Sequence, residues 1–190
     1  MEVTGVVLAG GKGQRMGGVD KGLILFQGKP LVAHVADRLK PQVDRLLINA
    51  NRELEAYRQL GYPVVSDDIT GFIGPLAGLH RGMRHAATLF VVTVPCDAPF
   101  LPADLVGRLQ AALVQHAADV AVVKTGPWRQ PVFSLCRTTL LPDLTRFLQG
   151  GGRKVDAWYA RLNTVEVSFD DQPAAFTNIN TPEELACLEH

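Results

Sequence analysis

Residues 89–94 and 120–123 are near-continuous apolar runs, too short to be core helices. Runs of this kind suit strands buried on both faces, which occur in parallel sheets covered by helices on each side. The segments between such runs have helical periodicity. The spacing predicts strands at Val3–Leu8, 45–50, Val64–Val65, 89–94 and 120–123, and helices at Leu31–Leu39, 53–60, 75–87 and 103–117. Strands alternating with helices of this length point to βαβ units. The expected fold is a three-layer α/β/α sandwich with a Rossmann-like, mostly parallel sheet. Beyond Thr125 the pattern loosens into a small antiparallel C-terminal element. It comprises a strand at 131–135, a helix at 138–148, a flexible glycine break at 150–152 and an edge strand at 165–169. Thr181, Pro182 and Glu184 have capping-box spacing for a last helix at 181–188. At 190 residues the chain is expected to be a single domain, 1–190.

Charge narrows the function classes. Nineteen Lys and Arg balance nineteen Asp and Glu. A neutral chain has no general electrostatic grip on nucleic acid or an anionic membrane, although a local basic pocket for a small anion remains open. The cysteines, Cys96, Cys136 and Cys187, are too far apart for a zinc or redox motif, and the five histidines form no metal-binding pair. Sparse, odd-numbered cysteines suit a reducing compartment. With no apolar run of membrane-spanning length and no signal-peptide pattern, the expected location is the cytoplasm.

The strongest chemical signal follows the first strand. Residues 8–21 read Leu-Ala-Gly-Gly-Lys-Gly-Gln-Arg-Met-Gly-Gly-Val-Asp-Lys, with five glycines within nine positions. Glycines let backbone N–H groups approach a polyanion, and Lys12, Arg15 and Lys21 can supply charge-assisted hydrogen bonds. Open α/β sheets bind ligands at this end of a strand. Two familiar phosphate motifs do not fit. Gly11-Lys12 is followed by Gly13, and Gly28-Lys29 by Pro30, so no Walker A motif is present. A dinucleotide fingerprint read from Gly11 and Gly13 needs glycine where Met16 stands.

Further candidates lie at the ends of other predicted strands. Pro95-Cys96-Asp97-Ala98-Pro99 places an aspartate between two φ-restricting prolines, just past the central strand. Alone the segment reads equally as a capped turn; paired with a loop that holds a polyphosphate, Asp97 is the candidate ligand for Mg²⁺, which takes one or two carboxylates plus phosphate oxygens. Cys96 reads as packing. Asn49 can read a base or ribose edge, or simply form a turn. Asp67, with Asp68 beside it, reads on sequence alone as a cap or turn residue. Gly74-Pro75-Leu76-Ala77-Gly78 opens a helix, with small residues that permit close approach of ligand or sheet. Asn178 and Asn180 alternate and so share a side. His80, Arg81, Arg84 and His85 read as surface or packing, and Arg153 and Lys154 as solvated.

Together, Leu-Ala-Gly-Gly, Arg-Met-Gly-Gly and Asp-Lys-Gly-Leu resemble the signature of the nucleotidyltransferase family that includes the molybdenum cofactor guanylyltransferases. Asn-x-Asn at 49–51, Gly-Pro-Leu-Ala-Gly at 74–78, Pro-Cys-Asp-x-Pro at 95–99, Gln-Pro-Val-Phe at 130–133 and Asn-x-Asn at 178–180 follow in the family's order. The resemblance spans residues 3–188. It departs at 68–73, 125–129 and 150–157, which leaves recognition of the second substrate least determined.

The resemblance implies transfer of GMP from GTP to the terminal phosphate of molybdopterin, the pterin of the molybdenum cofactor, with release of pyrophosphate. It implies that Leu8, Ala9, Gly10, Gly11, Lys21, Asn49, Asp67 and Asp97 contact GTP. Arg15 and Lys21 then sit on phosphates as catalytic residues beside Asp97, Asp97 holds Mg²⁺, and Asn178 and Asn180 lie on the pterin side. It also implies transient contacts with cofactor-assembly proteins or target apoenzymes. Relatives acting on CTP tend toward Leu-Ala-Ala-Gly at the loop, so Ala9-Gly10-Gly11 points by analogy to GTP. A cytidylyltransferase of the same pterin and a nucleotide-binding adaptor without turnover remain the alternatives.

Overall fold

The computed structural model describes residues 1–10, 20–68, 74–181 and 184–185. In chain order the strands are β1 (Val3–Leu8), β2 (Leu25–Phe26), β3 (Lys29–Pro30), β4 (Arg45–Asn49), β5 (Val64–Val65), β6 (Phe90–Pro95), β7 (Val120–Thr125), β8 (Trp128–Arg137) and β9 (Thr164–Ser168). The helices are α1 (Leu31–Leu39), α2 (Leu54–Arg58), α3 (Pro75–His85), α4 (Leu105–Gln115), α5 (Leu141–Gln149) and α6 (Val155–Tyr159). β2 and β3 form a separate small hairpin. The other seven strands make one sheet in the order β5-β4-β1-β6-β8-β7-β9.

Period-two alternation divides the core into two layers. Val3 and Val7 of β1 pack with α1 and α4 through Val35, Leu39, Leu105 and Leu109. Val6 packs on the other face with Leu76, Leu79 and Met83 of α3 and Leu144 and Leu148 of α5. Phe90 and Val92 of β6 join the first layer and Val91 the second. Helices on both faces explain why these strands are apolar throughout.

β1 pairs in parallel with both β4 and β6, and β4 with β5. The chain first steps outward from β1 to β4 and β5, then returns to β6 on the other flank. That reversal creates a crevice at the carboxyl ends of β1 and β6, where open α/β sheets take ligands.

The antiparallel component is β8, which lies inside the sheet, antiparallel to β6 and β7. Pro131 would ordinarily confine such a strand to an edge. Here the register jumps, with Val122 opposite Ser134 but Val123 opposite Gln130, so Pro131 falls in a bulge. Thr93 Oγ1 donates to Val132 O at 2.7 Å and Tyr159 OH to Pro131 O at 3.0 Å, satisfying carbonyls the bulge removes from the ladder.

β9 lies at the edge, as expected for 165–169, but pairs in parallel with β7, so the antiparallel component of this sheet is β8 alone. Two expectations are corrected. Gly150, Gly151 and Gly152 form an ordered close to α5, donating to the carbonyls of Arg146, Leu148 and Phe147. Arg153 binds Leu148 O at 3.0 Å and so caps this helix end. The next stretch is the short helix α6, whose Trp158 and Tyr159 complete the second core layer. Of the expected last helix, Glu184 N donates to Thr181 Oγ1 at 3.1 Å, the capping contact; residues 182–183 and 186–190 lie outside the described ones. Among the described residues, no helix is long and apolar enough to cross a membrane.

Candidate active site

Register brings the candidates together. Leu8 is level with Asn49 on one flank and Pro95 on the other, and Asn49 is level with Val65. Two residues past this row come Gly10, Asn51, Asp97 and Asp67. Four strands therefore deliver four candidate positions to one edge. Ala9 N donates to Asn49 O at 2.8 Å and Cys96 N to Leu8 O at 3.1 Å, so the ladder continues one step beyond the strands.

On the β4–β5 side the polar groups interlock. Asn49 Nδ2 donates to Asp67 Oδ1 at 2.9 Å, and Asn51 Nδ2 to Asp67 Oδ2 at 2.8 Å. Asp67 N donates back to Asn51 Oδ1 at 2.9 Å. Asn49 is buried, Asp67 half-buried and Asn51 exposed. Gly78 of α3 permits this, because a Cβ there would lie 2.5 Å from both Asn49 Oδ1 and Leu8 Cδ2. Asp68, the alternative to Asp67, is instead paired with Arg81 and Arg84. His80 is buried in α3, against Thr145 of α5 at 3.0 Å. Burial and the Arg84 charge lower its pKa.

On the β6 side Asp97 is only 8% exposed. Its Oδ2 accepts from Lys21 Nζ. Its Oδ1 is buried and has no hydrogen-bond partner among the described residues. A desolvated carboxylate oxygen without a donor is costly, and a cation or a ligand donor would relieve it. Among the described residues no three His, Cys, Asp or Glu side chains converge on a metal site. A lone carboxylate suits Mg²⁺, which takes its other ligands from phosphates and water.

Lys21 also donates to Asn180 Oδ1 at 2.6 Å. The 178–180 stretch is anchored by Ile179. Its N–H donates to Asp97 O at 2.9 Å, and its buried side chain packs on Phe26 and Leu31. Asn178 and Asn180 are left exposed on either side. Sequence reasoning placed Asn180 with the second substrate and did not foresee its contact with Lys21.

Gly11, Lys12, Arg15 and the rest of 11–19 lie outside the described residues, as do 69–73. Two further residues escaped notice. Asp20, 5% exposed, caps the 3-10 turn Lys21–Leu23 that carries Lys21, and Tyr57 OH donates to its Oδ1 at 2.5 Å. Burial raises the pKa of Asp20, against which the Tyr57 and Gly22 hydrogen bonds act, and burial raises that of Tyr57. Asp20's place just before a short turn was a capping signal. Tyr57 falls within the expected helix 53–60, to which the sequence analysis assigned no site residue. Cys96 is buried, which pushes its thiol pKa well up and leaves it unreactive.

Comparison with known proteins adds independent findings. The model of the MobA-like NTP transferase domain matches residues 5–165. The chain is 52% identical over 196 residues to a molybdenum cofactor guanylyltransferase of Ralstonia nicotianae, covering 98% of this chain and 96% of that one. It is 47% identical over 184 residues to one from Shewanella sp. strain MR-4, covering 97% and 93%. Its fold matches the crystal structure of molybdopterin-guanine dinucleotide biosynthesis protein A from Archaeoglobus fulgidus. There the TM-score is 0.81 at 25% identity, over 98% of this chain and 96% of that one.

Proposed function

The chain belongs to the MobA-like NTP transferase family, and on that premise we propose that it transfers GMP from GTP to the terminal phosphate of molybdopterin, releasing pyrophosphate. The relatives named as molybdenum cofactor guanylyltransferases cover nearly the whole chain. The structural observation that carries the reading is Asp97: paired with Lys21 through one oxygen, without a partner among the described residues at the other, at the carboxyl end of β6 beside β1.

The residues suggest the chemistry. An oxygen of the acceptor phosphate attacks the α-phosphorus of GTP. A P–O bond forms there as the bond to the β-phosphate's bridging oxygen breaks, and its electron pair leaves with pyrophosphate. The nucleophile is already an anion, so no strong base is needed. Catalysis is positioning and neutralisation of charge. Lys21 supplies a fixed cation, and Arg15 a second by the family resemblance. Asn49, Asn51 and Asp67 present donors and acceptors suited to a base or ribose edge. Asn178 and Asn180 border the phosphate end from the other side, where the pterin substrate would enter. Asp97 Oδ1 is the atom that would hold Mg²⁺, and a bound Mg²⁺ would act as Lewis acid on the phosphate oxygens. The unpaired thiols of Cys96 and Cys136 agree with a reducing, cytoplasmic setting. Transient contacts with cofactor-assembly proteins or apoenzymes belong to the same reading.

The nucleotide half is tested by thermal shift with Mg²⁺ and GTP, CTP, ATP or UTP in turn. A ligand at 100 times its Kd adds about 2.7 kcal/mol, which for this size is roughly 5–10 °C. The expected result is a shift with GTP well above the others. A shift with CTP alone would transfer the chain to cytidylyl chemistry.

A further inference from the structure

Lys21 is held from behind as well as in front. It opens the turn Lys21–Leu23, and Asp20 caps that turn. Asp20 Oδ1 accepts from Tyr57 OH at 2.5 Å and from Gly22 N at 3.4 Å. The packing is close: a Cβ on Gly22 would lie 2.6 Å from Tyr57 OH and 3.4 Å from Cys96 Cβ, next to Asp97. Tyr57 is fully buried. Its ring would pack equally well as phenylalanine, so the hydroxyl's evident task is Asp20, a buried carboxylate that must be hydrogen-bonded.

Tyr57 also has a fixed relation to the opposite half of the site. It sits on α2, which starts at Leu54, three residues after Asn51. Glu53, between them, is left-handed at φ 48° and ψ 34°, a conformation non-glycine residues seldom adopt. A sharp bend thus turns the chain from the Asn49–Asn51 edge straight into the helix that carries Tyr57.

We propose that Tyr57 is a positioning residue that, through Asp20, sets Lys21 against Asp97 and ties the edge of Asn49 and Asn51 to the phosphate end of the site. The inference rests on the reading of Lys21 and Asp97 as that phosphate end. Tyr57 touches no substrate; it acts through Asp20 and the turn.

The test compares Tyr57→Phe, Asp20→Asn and Asp20→Ala with the parent chain in two measurements. The first is acetylation of each lysine by a small amine-reactive reagent, read peptide by peptide by mass spectrometry. In Tyr57→Phe, Lys21 becomes severalfold more reactive, while Lys29 and Lys124, paired with Asp37 and Glu166, stay unchanged. The second is pyrophosphate release. Losing a hydrogen bond to a charged group is expected to lower kcat about tenfold, with KM for GTP little changed. Asp20→Asn keeps an acceptor at Oδ1 and stays near the parent in both measurements, while Asp20→Ala behaves like Tyr57→Phe. Unchanged Lys21 labelling in Tyr57→Phe overturns the proposal whatever its activity. An Asp20→Asn variant as impaired as Asp20→Ala also overturns it, since Asp20 would then act through charge. A parent chain with no turnover would sink the proposed function, and the labelling would still decide the role of Tyr57.

Discussion

Lys21 Nζ donates to Oδ2 of Asp97 across 76 residues of sequence, while the other Asp97 oxygen stays buried without a partner among the described residues. The pair joins the end of the glycine-rich segment to the second residue past the central strand. It leaves one cation and one bare carboxylate oxygen at the crevice that the strand order creates.

Replacing the cation separates its two roles. Lys21→Met removes charge stabilisation of the phosphates, expected to lower kcat by about 10²–10³. It also leaves the nearly buried Asp97 uncompensated, so the thermal midpoint in the absence of ligand falls. Pyrophosphate release and a melting curve check the two separately; an unchanged kcat would remove Lys21 from the chemistry.

Two glycine-to-alanine changes in helices have opposite expected signs. Gly78→Ala drives a Cβ against Asn49 Oδ1 and Leu8 Cδ2, displacing the Asn49–Asp67 contact. Overpacking of this kind costs about 1–3 kcal/mol, more than the ~1 kcal/mol alanine gains in helix propensity. GTP affinity should fall with stability. At Gly107, exposed in α4 with nothing within 4 Å of its Cβ position, only the propensity remains. Gly107→Ala should raise stability by about 0.5–1 kcal/mol without changing GTP affinity. Chemical denaturation and a GTP titration read both.

His80 gives a pH dependence. Burial first, and Arg84 next, hold its pKa below the ordinary 6.5, with Asp68 acting against them. Its neutral form is favoured in the folded chain. The resulting stability is fully present above pH 6.5 and is lost as pH falls through the lower folded value. His80→Gln keeps a donor for Thr145 but does not titrate. Between pH 7 and 5 the parent's melting temperature should fall more steeply than that of His80→Gln; equal slopes would contradict this.

Much of the site was legible because it lies where strands end. Leu8, Asn49 and Asp97 close or follow apolar runs, and parallel pairing of such runs brings their carboxyl ends to one edge; that Leu8 is level with Asn49 and Pro95 is seen only in the structure. What escaped depends on contacts between distant segments. Tyr57 and Asp20 are 37 residues apart, and an aromatic at a helical apolar position does not reveal what its hydroxyl binds. Asn180 reaches Lys21 across 159 residues. The place of β8 inside the sheet was not legible either, since the bulge that accommodates Pro131 is supported by side chains of β6 and α6. The helix α6 was missed because three glycines just before it resemble a loop, although they close α5 by backbone hydrogen bonds.

The most direct test follows pyrophosphate release from GTP in the presence of molybdopterin, as Mg²⁺ is titrated, for the parent chain and Asp97→Asn. The expected result is Mg²⁺-dependent release by the parent. Asp97→Asn should lose about 10³-fold or more in turnover while GTP affinity falls no more than about tenfold, since charge at the reacting phosphates matters most in the transition state. Near-parental turnover in Asp97→Asn, or an unchanged Mg²⁺ dependence, would contradict the account.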